Sequence, residues 1–119
     1  MSLDQILADI VAFRDARDWA QFHSVRNLVA AINVESGELQ EAILWKNDTE
    51  IEEQLDSDAR EQITDEVADV LIYALLLSLD LGEDPLNLIS LKLNKNEHKY
   101  PVHLSKGRAT KYTDLSSGE

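Results

Sequence analysis

The strongest constraint on the fold is the apolar run from Val70 to Leu79, with the sequence VLIYALLLSL. In a helix of 3.6 residues per turn these side chains point in nearly every direction, so the helix must be buried on all sides. A single domain of 119 residues has little other surface with which to cover it. The run therefore predicts a core that is completed by a second copy of the chain, in an obligate homo-oligomer.

Four segments carry apolar residues at helical spacing, and together they predict an all-α, four-helix domain. Ser24 and Asp84 are suitable N-cap residues, Pro85 is typical of a first helical position, and Gly82 is typical of a helix end. The segments run from about 3 to 17, 25 to 46, 59 to 81 and 85 to 96. Residues 47–58 lack this periodicity and are predicted to form a loop. The sequence thus predicts one domain over residues 1–119, with an irregular tail from about 97 to 119.

The composition excludes several classes of function. The chain has 23 acidic and 11 basic residues, a formal net charge of -12, which disfavours binding to a nucleic-acid backbone. It has no cysteine, which excludes disulfides, thiolate zinc sites and cysteine nucleophiles. The apolar run is too short to span a bilayer, and the first residues lack the pattern of a signal peptide. We therefore expect a cytoplasmic protein with neither a nucleic-acid nor a membrane partner.

Two pairs of carboxylates have the same spacing: Glu35 with Glu38, and Glu66 with Asp69. Residues three apart on a helix lie on one face, so each pair presents both carboxylates together. The segments around them are otherwise strongly apolar, which is unusual for charges on a solvated face. Two facing pairs would form an all-oxygen site for a hard divalent cation, for which Mg²⁺ is favoured and Mn²⁺ is a substitute. A solvated acidic face is the alternative interpretation.

Each carboxylate pair is followed by an aromatic residue. Trp45 lies seven residues after Glu38, and Tyr73 lies seven residues after Glu66. Two helical turns keep such side chains nearly in line and about 10 Å apart along the axis. A nucleoside triphosphate has the same arrangement of charged phosphates at one end and a flat base at the other. Ordinary core or interface packing of the two rings is the alternative.

These residues resemble the MazG-like, all-α nucleoside triphosphate pyrophosphohydrolases, and within them the dCTP pyrophosphatase branch. The resemblance is carried by the two carboxylate motifs and extends over nearly the whole chain. The matching segments are RDWAQFH (17–23), RNL (26–28), ESGELQE (35–41), LWK (44–46), DEVADVLIY (65–73), KYPVHLSKG (99–107) and KYTDL (111–115), with the pair Lys92 and Asn96.

The resemblance implies a four-helix core assembled as a homodimer, or as a tetramer made of two dimers. It also implies cleavage of a nucleoside triphosphate, dCTP or a related or modified dNTP, to the monophosphate and pyrophosphate. Such a reaction would serve house-cleaning or control of the nucleotide pool.

The resemblance also implies roles for individual residues. The metal ligands would be Glu35, Glu38, Glu66 and Asp69. Either Glu38 or Glu66 would act as the catalytic base, which the sequence leaves open. The substrate-binding residues would be Lys92 and Asn96 at the phosphates, and Trp45, Tyr73 and Trp19 around the base, with Trp19 expected from a neighbouring subunit.

One position departs from the resemblance. Some cytosine-preferring members carry a histidine nine residues before the tryptophan that matches Trp19, and this chain has Ile10 there. This departure bears on the preference for cytosine and not on the cleavage of the triphosphate. Two alternatives stay open: a related enzyme that acts on dUTP or phosphoribosyl-ATP, and a helical interaction module without catalytic activity.

Overall fold

The computed structural model describes residues 1–115, and all regular secondary structure in that range is helical. Four long helices account for most of it, which confirms the predicted all-α fold class. The helices are α1 (Leu3–Ala16), α2 (Val25–Glu41), α3 (Asp48–Leu55), α4 (Arg60–Asp80), α5 (Pro85–Lys99) and α6 (Val102–Ser105), with short 3₁₀ turns at Ala20–Phe22 and Tyr112–Asp114.

Three predicted helix ends are confirmed by their hydrogen bonds or backbone angles. Ser24 Oγ accepts from the N–H of Asn27 at 3.2 Å, which caps α2. Asp84 is the N-cap of α5, with Pro85 in the first helical position. Gly82 adopts a φ of 73° just beyond α4, in the left-handed region that glycine enters without steric cost.

The predicted loop over residues 47–58 is wrong, because this segment contains α3. Asn47 caps the helix, its side chain accepting from the N–H of Glu50 at 2.9 Å. The Glu50 carboxylate in turn accepts from the N–H of Asn47 at 3.1 Å. This reciprocal capping box starts a helix where apolar periodicity is weak, and its signature was present in the sequence.

The predicted extension of the second helix to residue 46 is also wrong. Helix α2 ends at Glu41, and the chain then turns through hydrogen bonds that span three residues. Trp45 adopts a φ of 67°, which no α-helix contains. Trp45 therefore does not lie on the helical face that carries Glu38.

The C-terminal tail is less irregular than predicted. Helix α5 continues to Lys99, and Pro101 serves as the N-cap of α6 instead of only breaking the chain. The ring of Tyr112 packs edge-on against Tyr100, with 6.0 Å between the ring centroids. The Nζ of Lys99 lies 4.6 Å from the centroid of the same ring, which holds this part of the tail against α5.

The first of two compact units spans Met1–Gly82 and contains the core. Helix α4 packs along α2 and also contacts α1. Leu28, Leu76 and Ile10 form the buried cluster where these helices meet. The predicted burial of the apolar run is only partial within one chain, because Leu71 is 58% exposed.

The second unit begins at Glu83 and contains α5, α6 and the turn at Tyr112–Asp114. Helix α5 displays several exposed apolar side chains, namely Leu86, Ile89, Leu91 and Leu93. Among the described residues, no helix is both long enough and apolar enough to cross a membrane.

Candidate metal and nucleotide site

Helices α2 and α4 bring three carboxylates together. One oxygen of each of Glu35, Glu38 and Glu66 lies within 4.8 Å of the other two. Glu35 and Glu38 come from consecutive turns of α2, and Glu66 comes from the facing helix α4. The structure therefore brings three of the four predicted carboxylates together, and their role as metal ligands stays a prediction.

The buried sides of this group lack hydrogen-bond partners. Glu35 Oε2 and Glu66 Oε2 are both inaccessible to solvent and have no hydrogen-bond partner among residues 1–115. Buried oxygens in this state are rare, and several such oxygens around one point fit a hard cation. Glu38 is exposed, which leaves the group open to solvent on one side.

Crowding of the carboxylates changes their acidity. Burial, followed by the approach of the Glu38 and Glu66 carboxyl groups, with which Glu35 can share a proton, and by the negative charges of Glu38 and Asp69, raises the pKa of Glu35 to about 7. Burial is also the main reason that the pKa of Glu66 is raised. Closely spaced carboxylates repel one another when all are ionised, which favours a proton shared between them.

This acidity predicts how the stability of the metal-free protein changes with pH. Glu35 has an ordinary pKa of 4.5 when unfolded, but in the folded chain it keeps its proton up to about pH 7. Between these values the folded state binds more protons than the unfolded state, so this contribution to stability is lost as the pH rises from about 4.5 to 7. Mg²⁺ requires ionised ligands, so it should stabilise the protein more at pH 8 than at pH 5.

Thermal unfolding from pH 4.5 to 8, with EDTA or with Mg²⁺, measures both effects. Glu35→Gln is the matched control, because it removes this titration while keeping the shape of the side chain. As the pH rises, the melting temperature of the wild type should fall relative to that of the variant. A difference that stays constant across the range would contradict the assignment.

Asp69, the fourth predicted ligand, lies one turn beyond Glu66 on α4 and is not part of the close group of three. Its negative charge contributes to the raised pKa of Glu35. It also lines a pocket of about 420 Å³. Asp69 therefore joins the carboxylate group to this pocket.

The pocket lies between α1, the turn at Ala20–Phe22 and α4, within the first unit. Its wall is mostly apolar and aromatic, with a few charged and polar side chains. The lining residues are Asp9, Ile10, Phe13, Arg14, Trp19, His23, Asp69, Ile72, Tyr73 and Leu76. The size and lining are typical of small-molecule sites.

Four rings of the pocket wall pack edge to face in sequence. The centroids of Phe13 and Trp19 lie 5.8 Å apart, those of Trp19 and His23 6.5 Å, and those of His23 and Tyr73 6.1 Å. Such contacts add attraction beyond simple burial and fix the ring planes. Burial, together with nearby carboxylates such as Glu35, raises the pKa of Tyr73, so its hydroxyl keeps its proton.

The two tryptophans proposed for the base occupy different places. Trp19 lines the pocket of its own chain, and its contact with a base from a neighbouring subunit stays a prediction. Trp45 is not among the described residues that line this pocket, and 93% of it is exposed. The prediction that Trp45 stands in line with Glu38 fails because α2 ends between them.

Lys92 and Asn96 lie one turn apart on α5, in the second unit. Lys92 is exposed and Asn96 is half-buried. The N–H of Tyr100 donates to the carbonyl of Asn96 at 2.8 Å, within the end of the helix. Their contact with phosphates stays a prediction.

Sequence reasoning missed His23 as part of the pocket. Its Nδ1 is buried and has no hydrogen-bond partner within the described chain. Ile10, singled out as a departure, lines the pocket and also belongs to the buried cluster. The place of His23 in the pocket depends on the 3₁₀ turn at Ala20–Phe22, which apolar spacing did not indicate.

The fold and the site define a class of small all-α proteins in which a group of three carboxylates lies beside a largely apolar and aromatic pocket. Comparison with known families narrows the class, since the model of the MazG-like family matches residues 30–115. The chain therefore belongs to the MazG-like family.

Individual relatives agree with this assignment. The chain is 44% identical over 107 residues to dCTP pyrophosphatase 1 of Mus musculus, and 42% identical over 108 residues to that of Homo sapiens. Each match covers 89% of this chain but 63% of the relative, so the chain spans less than two thirds of these proteins. A crystal structure of a pyrophosphatase from Archaeoglobus fulgidus DSM 4304 is also similar, with a TM-score of 0.76 and 35% identity. That match covers 83% of this chain and 92% of the archaeal one.

Proposed function

We propose that this protein is a Mg²⁺-dependent nucleoside triphosphate pyrophosphohydrolase. Its substrate would be dCTP or a related or modified dNTP, and its products the monophosphate and pyrophosphate. The observation that carries the proposal is the junction at Asp69, where the carboxylate group meets the aromatic pocket. Family membership and the names of the relatives support the same reaction.

The carboxylate group fits a cation because one buried oxygen of each of Glu35 and Glu66 lacks a hydrogen-bond partner in the described part of the chain. We propose that Glu35, Glu38, Glu66 and Asp69 hold Mg²⁺, with Mn²⁺ as a substitute. A bound ion of this kind neutralises triphosphate charge and lowers the pKa of a coordinated water.

The chain's own residues would divide the remaining tasks. Glu38 or Glu66 would accept a proton from the attacking water, which requires a carboxylate within hydrogen-bond distance of it. Lys92 would offset the charge that develops on the leaving pyrophosphate, with Asn96 beside it on α5. Positioning and electrostatics of this kind supply most of the catalysis in phosphoryl transfer.

The pocket is the proposed site of the base. Trp19 and Tyr73 offer aromatic surfaces there, and stacking of a base on such a ring contributes about 1–3 kcal/mol. His23 adds a buried ring nitrogen that has no hydrogen-bond partner within residues 1–115. Ile10 contributes an apolar side chain to the same wall and cannot hydrogen-bond to the base. The base preference must therefore come from the polar groups of the pocket.

We also propose that the active protein is a homodimer or a tetramer. The exposed apolar side chains of α4, among them Leu71 and Val67, support this, and those of α5 do so independently. Isolated chains rarely leave so much apolar surface in contact with water. In the assembled enzyme, Trp45 would complete the contacts to the nucleotide base.

A panel of nucleoside triphosphates, incubated with Mg²⁺ or with EDTA, tests the reaction. Ion-exchange chromatography should detect monophosphate and pyrophosphate in a strictly metal-dependent way, with dCTP or a modified dNTP cleaved fastest. Preferred cleavage of dUTP or phosphoribosyl-ATP would move the protein to the related enzymes. If every triphosphate stays intact, the proposal is wrong, and a helical interaction module becomes the better interpretation.

A further inference from the structure

The segment between α2 and α4 is organised around a buried amide. Gln54, on α3, is only 6% exposed, less than any other polar side chain in the described range. A buried amide destabilises a fold unless its donors and acceptor are satisfied. Its partners therefore indicate what this side chain holds in place.

All of these partners belong to the segments on either side of α3. Gln54 Oε1 accepts from Lys46 Nζ at 2.6 Å. Gln54 Nε2 donates to the carbonyl oxygens of Ala42 at 3.2 Å and Ala59 at 3.3 Å. Lys46 Nζ also donates to the carbonyl of Ala42, at 3.3 Å. Gln54 and Lys46 thus clamp the turn over residues 42–46 at both ends; we name these two residues the bracket.

Trp45 lies inside the clamped turn in an unusual state. Its φ of 67° is a conformation that large L-residues rarely adopt, and its ring is 93% exposed. The described chain contains one other non-glycine residue with positive φ, Asp18, and it directly precedes Trp19. Both tryptophans of the protein are therefore presented by left-handed turns, and such outliers concentrate where a ligand is held.

We propose that Gln54 and Lys46 are positioning residues, which fix the Trp45 turn so that the indole is already oriented for the nucleotide base. This inference rests on the proposed function, because the ligand of Trp45 is the one named there. An exposed ring on a loose turn would lose conformational freedom on binding, at the expense of affinity. The bracket restrains the turn before the ligand binds, so less conformational entropy is lost on binding. This gives a reason for a buried amide and a surface lysine to bond to the turn.

The bracket acts on binding and not on the chemical step, so its loss should change KM selectively. Lys46→Met removes the ammonium group at the surface, and Gln54→Leu removes the buried amide. Either change should raise KM for the best nucleotide roughly three- to tenfold, the expected effect of freeing one side chain, with kcat within about twofold. In a Trp45→Ala background neither change should raise KM further, because the ring that the bracket orients is gone.

Fluorescence tests the bracket without any substrate. In a Trp19→Phe background Trp45 is the sole tryptophan, so time-resolved anisotropy reports its motion alone. Lys46→Met and Gln54→Leu should increase the fast, sub-nanosecond depolarisation of Trp45. Gln5→Leu, at an exposed glutamine of α1, is the matched control and should leave it unchanged. Lys46→Met keeps the buried amide, so it remains informative if Gln54→Leu does not fold.

Two results would overturn the bracket: unchanged anisotropy in Lys46→Met, or a KM that rises equally with and without Trp45. The second result would mean that Gln54 and Lys46 only stabilise the fold. If the wild-type protein cleaves no nucleotide, the proposed function fails separately, and the anisotropy still decides whether the bracket restrains Trp45.

Discussion

Replacing Glu38 with glutamine should reduce kcat/KM for triphosphate cleavage by at least about a hundredfold, the upper range seen when even outer-shell partners of a metal are removed. The substitution keeps the shape of the side chain but removes one of three charges that lie within 4.8 Å of one another. The site would then hold a divalent cation weakly. Binding of Mn²⁺, followed by electron paramagnetic resonance, should weaken in parallel with activity.

The same substitution should leave the fold intact. Glu38 is exposed, and its charge raises the pKa of Glu35, so its removal relieves repulsion in the metal-free protein. The melting temperature in EDTA should therefore stay the same or rise. Glu41→Gln is the matched control, since Glu41 is exposed at the end of the same helix. Full activity in Glu38→Gln would remove the basis for the metal site.

Replacing Leu28 with alanine should lower the free energy of unfolding by about 2–5 kcal/mol, the range for a fully buried leucine. Leu28 is 1% exposed and packs with Ile10 and Leu76, so truncation leaves a cavity where the three helices meet. Because Glu35 follows Leu28 by seven residues on the same helix face, the carboxylate group should loosen as well.

Urea unfolding at several protein concentrations measures this loss and separates it from any change in assembly. Leu81→Ala makes the same chemical change at a leucine that is more than half exposed, and it should cost much less. If Leu28→Ala lost no more stability than Leu81→Ala, the described cluster would not be the core that positions the site.

The candidate site could be predicted from sequence to the extent that it depends on helix periodicity. Residues three apart on a helix must share a face, so each carboxylate pair followed from spacing alone. The approach of Glu35 to Glu66 across two helices depends on packing, and spacing could only suggest it. His23 escaped prediction because its role depends on where the turn at Ala20–Phe22 places a ring, next to Tyr73 from another helix.

The errors have local causes. The end of α2 and the presence of α3 were missed because apolar periodicity is weak between residues 42 and 58. There the backbone is directed by polar contacts, namely the capping box of Asn47 and the hydrogen bonds of Gln54. Such contacts satisfy individual backbone groups and leave little trace in a hydrophobic pattern.

The sequence by itself determined the helical class, the long helices and the two acidic faces, because these follow from spacing along one chain. The tertiary structure alone decided that Trp19 belongs to the pocket and that Trp45 stands outside it. Those outcomes depend on left-handed backbone at Asp18 and at Trp45 itself, and the turn that contains Trp45 is held by Gln54 from the next helix. Local propensity disfavours such turns, so only the assembled structure can stabilise and reveal them.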